Sequence, residues 1–457
     1  MSNQPVDLEL IKKYNVPGPR YTSYPPATQF TDQVDHERLN GLIQENMESS
    51  RDVSLYYHIP FCESLCWFCG CTTVITSKHQ QGADYLDTLD REMGLSSREM
   101  NSARRVVQMH FGGGTPTFLR AEEIQRLGEI IKKHFTFAEK LEAGVEIDPR
   151  RLTHDRVVAL RQAGFNRASM GVQDNNPKVQ EAVHRIQPLE ETRQAVDWLR
   201  EEEFESLNID LIYGLPYQTA ESFEQTLDEI IELNPDRLAV FSYAHVPWIK
   251  PAQKILTDDI LPGPEMKLQL LKLTIEKLTE VGYVYIGMDH FAKADDELAV
   301  AQRKKTLQRN FQGYSTFGGA DILSFGMSAI SQIPGAYWQN LKELGDYTGA
   351  VERNERPITR GYLLTSEDQI RREVIMRLMC HLELDYGQLS KELDIDFPQF
   401  FASSLESLGD MEADELLVRH DDRLVVTDLG RLVIRNIAMR FDAYQKVAAE
   451  QRFSKTI

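Results

Sequence analysis

The sequence is poor in cysteine, has no long apolar run and carries no excess of positive charge, and each shortage removes a class of function. Cysteines number 5 in 457 residues, and four of them fall between Cys62 and Cys71 with Cys380 far downstream. So local a cluster cannot staple distant segments as a disulfide framework does, and it points to metal in a reducing compartment. No stretch approaches the ~18 to 20 apolar residues a membrane-spanning helix needs. Met1–Pro17 also lacks the basic-then-apolar order of a secretion signal, so a cytosolic chain is expected. With 51 Lys+Arg against 70 Asp+Glu the net charge is -19, which argues against a general nucleic-acid coat and favours a monomer. Internal repeats and low-complexity segments are missing as well.

Present instead is an ordinary globular mix, 42% hydrophobic and 26% charged, on a chain too long for one compact unit. Six short apolar runs recur in its first half: 54–58, 106–111, 143–147, 167–172, 208–213 and 237–243. Helical periodicity fills the gaps, as in Tyr85, Leu86, Leu89 and Met93, or Phe223, Leu227, Ile230 and Ile231, and Pro264 opens another helix that ends before Gly282. Strand then helix, repeated about six times, predicts a parallel sheet with crossover helices. Pattern alone leaves a barrel and a doubly wound sheet both open. Polar and special residues gather where successive runs end: the cysteines after the first, Gly112-Gly113-Gly114 after the second, Glu146 in the third, Gln173 after the fourth, Asp210 in the fifth and His245 after the sixth. That is the placement expected of a barrel's site.

A second region begins after Pro357. Ser366 and Gln369 predict a capping box for a helix through His381, with further helical pieces at 386–393, 399–408 and 429–444 and a hairpin from 416–419 to 424–427. Helices with a hairpin suggest a winged helix, yet residues 364–457 hold 12 basic and 18 acidic side chains, which opposes DNA binding and favours a packing or lid role.

Cys62, Cys66, Cys69 and Cys71 are spaced C-x3-C-x2-C-x-C. Cys69 and Cys71, one residue apart, are awkward joint ligands of a tetrahedral zinc, although a zinc knuckle remains open on spacing alone. Three thiolates on a 4Fe–4S cluster would leave one iron free for an outside ligand. C-x3-C-x2-C after a first strand resembles the radical S-adenosylmethionine (SAM) superfamily. With the segments Gly18-Pro19-Arg20-Tyr21-Thr22-Ser23-Tyr24-Pro25, Tyr56-Tyr57-His58-Ile59-Pro60-Phe61-Cys62, Gly112-Gly113-Gly114-Thr115-Pro116-Thr117, Ser169–Asp174, Asn208–Pro216 and Gly287–Ala292, the whole chain resembles the oxygen-independent coproporphyrinogen III oxidase family. Two places depart from that pattern: Tyr57 stands where a valine is expected before His58-Ile59-Pro60, and Ser315–Phe325, leading to Ile330, matches loosely.

The resemblance implies a partial, open (β/α)6 barrel over 51–356, an N-terminal segment 1–50 contributing to the substrate site and a helical C-terminal domain 357–457. It implies an anaerobic decarboxylase of haem biosynthesis, turning the ring A and B propionates of coproporphyrinogen III to vinyls through a 5′-deoxyadenosyl radical. One 4Fe–4S cluster on Cys62, Cys66 and Cys69, two SAM consumed per substrate and a low-potential donor such as flavodoxin or ferredoxin would serve it. The SAM contacts implied are Tyr56, Phe68, Gly112, Gly113, Gly114, Thr115, Glu146, Gln173, Arg185, Asp210, Ala244 and Ile330, with a structural pair from Glu146 to Arg167 as the other reading of Glu146. Because the substrate is a tetra-anion, Arg20, Arg185 and Arg309 are candidate carboxylate partners, Tyr21 and Tyr24 candidate ring-facing aromatics, and Cys71, His58 and His290 candidates near substrate or SAM. Cys380 reads as core. A haem chaperone on the same fold is the competing function. Relatives of that kind usually lack the fourth cysteine and the long N-terminal segment, both of which this chain has.

Overall fold

The computed structural model describes residues 8–445. The six apolar runs become six neighbouring parallel strands, β1 (Val53–Ile59), β2 (Val106–Gly113), β3 (Phe137–Ile147), β4 (Arg167–Gln173), β5 (Ser206–Tyr213) and β6 (Arg237–Ser242). They pair in chain order, and each is followed by helix, beginning with Gln80–Ser97 after β1 and ending with Pro264–Glu280 after β6. In β1 and β2 nearly every residue is buried, because helices cover one face and the barrel interior the other. In β4 and β5 burial alternates. Their half-buried positions include Ser169, Gly171, Gln173 and Asp210, which face a cavity rather than a packed core.

The sheet grows to twelve strands. Antiparallel His290–Lys293 and Tyr283–Gly287 extend it beyond β6, and beyond β1 come Asp321–Phe325, Ile330–Ile333, Ala336–Asn340 and Ile358–Leu363. Asp321–Phe325 runs parallel to β1, making seven parallel strands where the sequence predicts six. The two outermost strands do not pair with each other, so the barrel stays open.

Charge holds the start of that seventh strand. Asp321 is 1% exposed and accepts from Arg51 Nε at 2.9 Å, Asn46 Nδ2 at 2.9 Å and the Arg104 guanidinium. Arg104 in turn donates to the carbonyls of Arg51 and Asn46. Across the barrel floor, Ser54 bonds Gln108, Gln108 bonds Glu142, and Arg167 pairs with Glu297 at 2.6 Å and Glu142 at 3.7 Å. The alternative partnership of Arg167 with Glu146 is therefore not made, since Arg167 lies at the floor of the barrel and Glu146 near the strand ends.

Glu92 joins helix Gln80–Ser97 to the turn after Asp321–Phe325. Its buried carboxylate accepts from Gly326 N (2.8 Å), Asn340 Nδ2 (2.7 Å) and Tyr347 Oη (2.5 Å). Burial pushes it up to about 7 despite those donors. A raised folded-state value means the fold binds this proton more tightly than the unfolded chain does. The stabilisation is complete below the unfolded value near 4.5 and is lost as pH rises through about 7. Denaturant unfolding between pH 5 and 8 should show wild-type stability falling on the order of 3 kcal/mol more than that of Glu92→Gln. Parallel pH profiles would rule the effect out.

The C-terminal region forms a second core, which also takes in Tyr14, Tyr21 and Tyr24 of the N-terminal segment. Its first helix, Ser366–His381, is capped by Thr365 with Asp368, one residue before the predicted Ser366 box. The helix expected over 399–408 breaks at Phe401 into Phe397–Phe400 and Ala402–Glu406, and that over 429–444 breaks at Val433, where φ -115 leaves the helical region. The hairpin Leu417–Arg419 and Arg423–Val426 forms as expected and gains a third strand, Glu383–Asp385. Residues 1–7 and 446–457 of the predicted terminal segments lie outside the described residues.

Candidate functional site

The cysteine loop leaves the end of β1 and is tied at both ends and in the middle. Pro60 O accepts from Val74 N and Cys62 O from Thr76 N, closing the loop on a two-residue parallel ladder. Within it, Trp67 N donates to Val183 O, Trp67 stacks on His184, Gln253 Nε2 holds Phe68 O and Lys250 Nζ holds Cys71 O at 2.7 Å. Anchored in this way, Cys62, Cys66, Cys69 and Cys71 open onto a single cavity of about 320 Å3.

Donors surround the sulfurs. Thr115 Oγ1 lies 3.4 Å from Cys62 Sγ, Arg150 Nη2 3.4 Å and Arg185 Nη1 3.6 Å from Cys66 Sγ, and Cys71 N 3.4 Å from Cys69 Sγ. A hydrogen bond from Cys71, helped by Lys250 and Arg185, pulls the Cys69 thiol below its ordinary value, whereas burial pushes Cys62 up to about 11. Asp148 positions both arginines, pairing with Arg150 at 2.6 Å and Arg185 at 3.1 Å. Burial alone would raise Asp148, but Arg185 and Arg150 hold it below the usual carboxylate range.

The same cavity receives Phe68, Gly113, Gly114, Thr115, Glu146, Gln173, Arg185 and Asp210. Glu146 accepts from Gly113 N at 3.2 Å and lies 3.4 Å from His110 Nε2, while the ring of His110 stacks on Tyr56. Asp210 accepts from Asn208 and Ser169, and burial with the nearby charge of Glu146 pushes it up to about 7. The glycine turn is dictated by space. A Cβ on Gly114 would stand 2.4 Å from Pro60 O, and one on Gly112 2.9 Å from Glu146 Oε1 and 3.1 Å from the Tyr56 ring.

These residues suit a thiolate-held cluster with an organic ligand beside it. Three sulfurs face one space, the glycine cradle would be filled by any side chain, and the buried Arg185 Nε has no hydrogen-bond partner among the described residues. Among the described residues no three His, Cys, Asp or Glu side chains converge on a point where one ion could sit. A lone zinc needs that convergence, whereas a multi-iron cluster presents separate corners to separate thiolates.

Other candidates lie elsewhere. Ala244 and Arg20 line an adjoining cavity of about 460 Å3, and Ile330 opens an outer strand, its carbonyl accepting from Ser324. Tyr21 and Tyr24 line neither cavity. Both are buried, Tyr21 donating to Asp442 and Tyr24 Oη accepting from Ala443 N, so they anchor the N-terminal segment to the second core instead of presenting rings to a cleft. Arg185 is committed to Asp148 and Cys66, on the cofactor side. His290 sits between the rings of Phe241 and Tyr314 with Nδ1 on Met288 O, and burial together with Arg309 pulls it down to about 4, so it is neutral. His58 bonds Thr72 O and Tyr56, and Cys380 is buried in the second core. Sequence reasoning passed over Asp148 and Arg150, although their position directly after β3, two and four residues beyond Glu146, was the available signal.

Residues 56–230 match the model of the Radical SAM superfamily and residues 364–433 that of the HemN C-terminal domain. The chain is 46% identical over 455 residues to the oxygen-independent coproporphyrinogen III oxidase of Synechocystis sp., covering 98% of this chain and 97% of that protein. It is 47% identical over 452 residues to the protein of that name from Escherichia coli, covering 99% and 98%. A solved structure, described as coproporphyrinogen III oxidase (HemN) from Escherichia coli, a radical SAM enzyme, superimposes with a TM-score of 0.91 at 45% identity, over 96% of this chain and 100% of that one.

Proposed function

The chain belongs to the family of oxygen-independent coproporphyrinogen III oxidases, radical SAM oxidoreductases of haem biosynthesis, and on that premise we propose that it decarboxylates the ring A and B propionates of coproporphyrinogen III to vinyls, giving protoporphyrinogen IX. The observation that carries the reading is the single cavity onto which three thiolates, the glycine cradle and the Glu146, Gln173, Arg185 and Asp210 side chains all open. Cys62, Cys66 and Cys69 would hold one 4Fe–4S cluster. Tyr56, Phe68, Gly112, Gly113, Gly114, Thr115, Glu146, Gln173, Arg185, Asp210, Ala244 and Ile330 are the proposed SAM contacts. When bound, cluster and SAM supply the one-electron chemistry that takes hydrogen from a propionate, one SAM for each of two propionates.

The protein's share is placement. Arg150 and Arg185, fixed by Asp148, lend positive charge to the Cys66 sulfur, and hydrogen bonds to thiolates tune a cluster's potential. The Glu146 carboxylate and the bare backbone of the glycine turn suit close approach by an amino-acid end, and Phe68, Ile147 and Phe241 add apolar surface to the cavity. We place functional boundaries at 1–50, 51–356 and 357–457, with a low-potential protein donor such as flavodoxin or ferredoxin and a monomeric, cytoplasmic enzyme. Reduced, cluster-loaded enzyme incubated anaerobically with coproporphyrinogen III and SAM should form protoporphyrinogen IX and two equivalents of methionine. SAM cleavage with no vinyl product would defeat the proposal and favour the chaperone reading.

A further inference from the structure

A cation in a chain with 70 acidic residues usually finds a carboxylate, as Arg167, Arg185 and Arg237 do here. Among the described residues Lys250, Arg309, Lys342 and Arg360 form no ion pair, although Arg309 contributes with Arg20 and Arg435 to the positive field on the buried Asp289 carboxylate. Lys250 bonds the Cys71 carbonyl, Arg360 bonds Gln339 Oε1 at 2.7 Å and lies over the ring of Phe30, and Arg309 lies over Tyr314 with one nitrogen 3.5 Å from Arg20 O. Arg309 is 8% exposed, yet its Nε and Nη1 have no partner among the described residues. Leaving charged donors buried and unpaired is costly, so such a group points to a missing anion.

These four side chains border one region. Gln339, which holds Arg360, donates to Ser328 O; Ser328 lies 3.5 Å from His58 Nε2; and His58 bonds Thr72 O, next to Cys71. Lys342 follows Leu341, whose carbonyl accepts from Ser328 N. Burial and the like charges of Arg360 and Lys250 lower the Lys342 ammonium. Arg309 joins them through Phe311, packed edge-on against Phe30. Beside Lys250, Trp248 and Ile249 are 52% and 62% exposed, large apolar surface next to unpaired positive charge. An apolar ring with carboxylates on its edge answers both features.

We propose that Lys250, Arg309, Lys342 and Arg360 are the carboxylate receptors of the substrate face, and that Trp248 and Ile249 meet the apolar macrocycle. The inference rests on the porphyrinogen reading above and adds the residues that overcome the -19 net charge for an anionic substrate.

The test is fluorescence titration of anaerobically purified holoenzyme with coproporphyrin III, the oxidised macrocycle that keeps four propionates. Lys342→Ala and Arg360→Ala should each weaken binding about tenfold, as loss of a charge-assisted hydrogen bond does, and the double variant more. Arg360→Lys should recover much of the loss, and wild-type affinity should fall with added salt. Arg309→Ala should be the weakest single variant; because Arg309 is buried, its folding is checked by thermal unfolding, and the two surface variants decide the matter should it misfold. If the wild type binds the porphyrin and the surface variants match it within twofold, the receptor assignment is wrong. If the wild type neither binds the porphyrin nor turns over coproporphyrinogen III, the substrate reading fails and the assignment with it.

Discussion

Cys62→Ala, Cys66→Ala and Cys69→Ala are each expected to yield colourless protein without bound iron and without measurable porphyrinogen turnover, while Cys71→Ala keeps its iron and sulfide. The proposed three-ligand set has no redundancy. Losing one thiolate would leave two anchors for four irons unless Cys71, which lines the same cavity, took its place. Cys71 touches the set differently. Its backbone N–H, which alanine retains, donates to Cys69 Sγ, and its carbonyl is fixed by Lys250. Loss of the Cys71 side chain removes the hydrogen bond that favours the Cys69 thiolate, so a changed potential or rate is expected with the cluster intact. Iron and sulfide analysis of anaerobic preparations decides the point. A full cluster in Cys69→Ala, or an empty site in Cys71→Ala, would exchange the roles of the two residues.

Legibility from sequence followed local chemistry. The six central strands declared themselves because buried parallel strands need unbroken β-branched and aromatic runs, and the ends of those runs marked the site. Asp321–Phe325 was missed because its apolar stretch is short, holds Ser324, and follows a glycine-rich loop that looks like a linker. The site residues that escaped notice are Asp148 and Arg150, which orient Arg185 and meet the Cys66 sulfur; their place just beyond the third run was the one sequence signal, and residue type alone does not separate such a pair from surface charge. Tyr21 and Tyr24 show the reverse error. They sit in a segment that resembles the family strongly, yet their hydroxyls meet Asp442 and Ala443, more than 400 residues away, a distance no local pattern spans. The helix breaks at Phe401 and Val433 escaped for a similar reason, since both residues are buried in the second core and tertiary packing overrides a continuous helical period.

Asp321→Ala is expected to be the most damaging single change to stability, about 3–5 kcal/mol, because it strands Arg104 as an uncompensated charge in the interior. Arg104 has a fully buried side chain, and Asp321 is its one carboxylate partner among the described ion pairs. The same carboxylate also holds Arg51 and Asn46, so its loss frees the end of helix His36–Met47 as well as the seventh parallel strand. A paired replacement separates charge burial from packing. In Arg104→Met with Asp321→Leu the buried ions are gone together, and much of the stability should return, as an apolar pair of similar volume tolerates burial without a partner. Urea unfolding of the single and double variants gives the coupling directly. An Asp321→Ala midpoint within error of wild type would show that water or another group neutralises Arg104. The consequence reaches the site: the strand that begins at Asp321 ends in the turn carrying Gly326 and Ser328, which contact Glu92 and His58. Fraying at Asp321 should therefore lower cluster retention on standing before it lowers the turnover of molecules that remain folded.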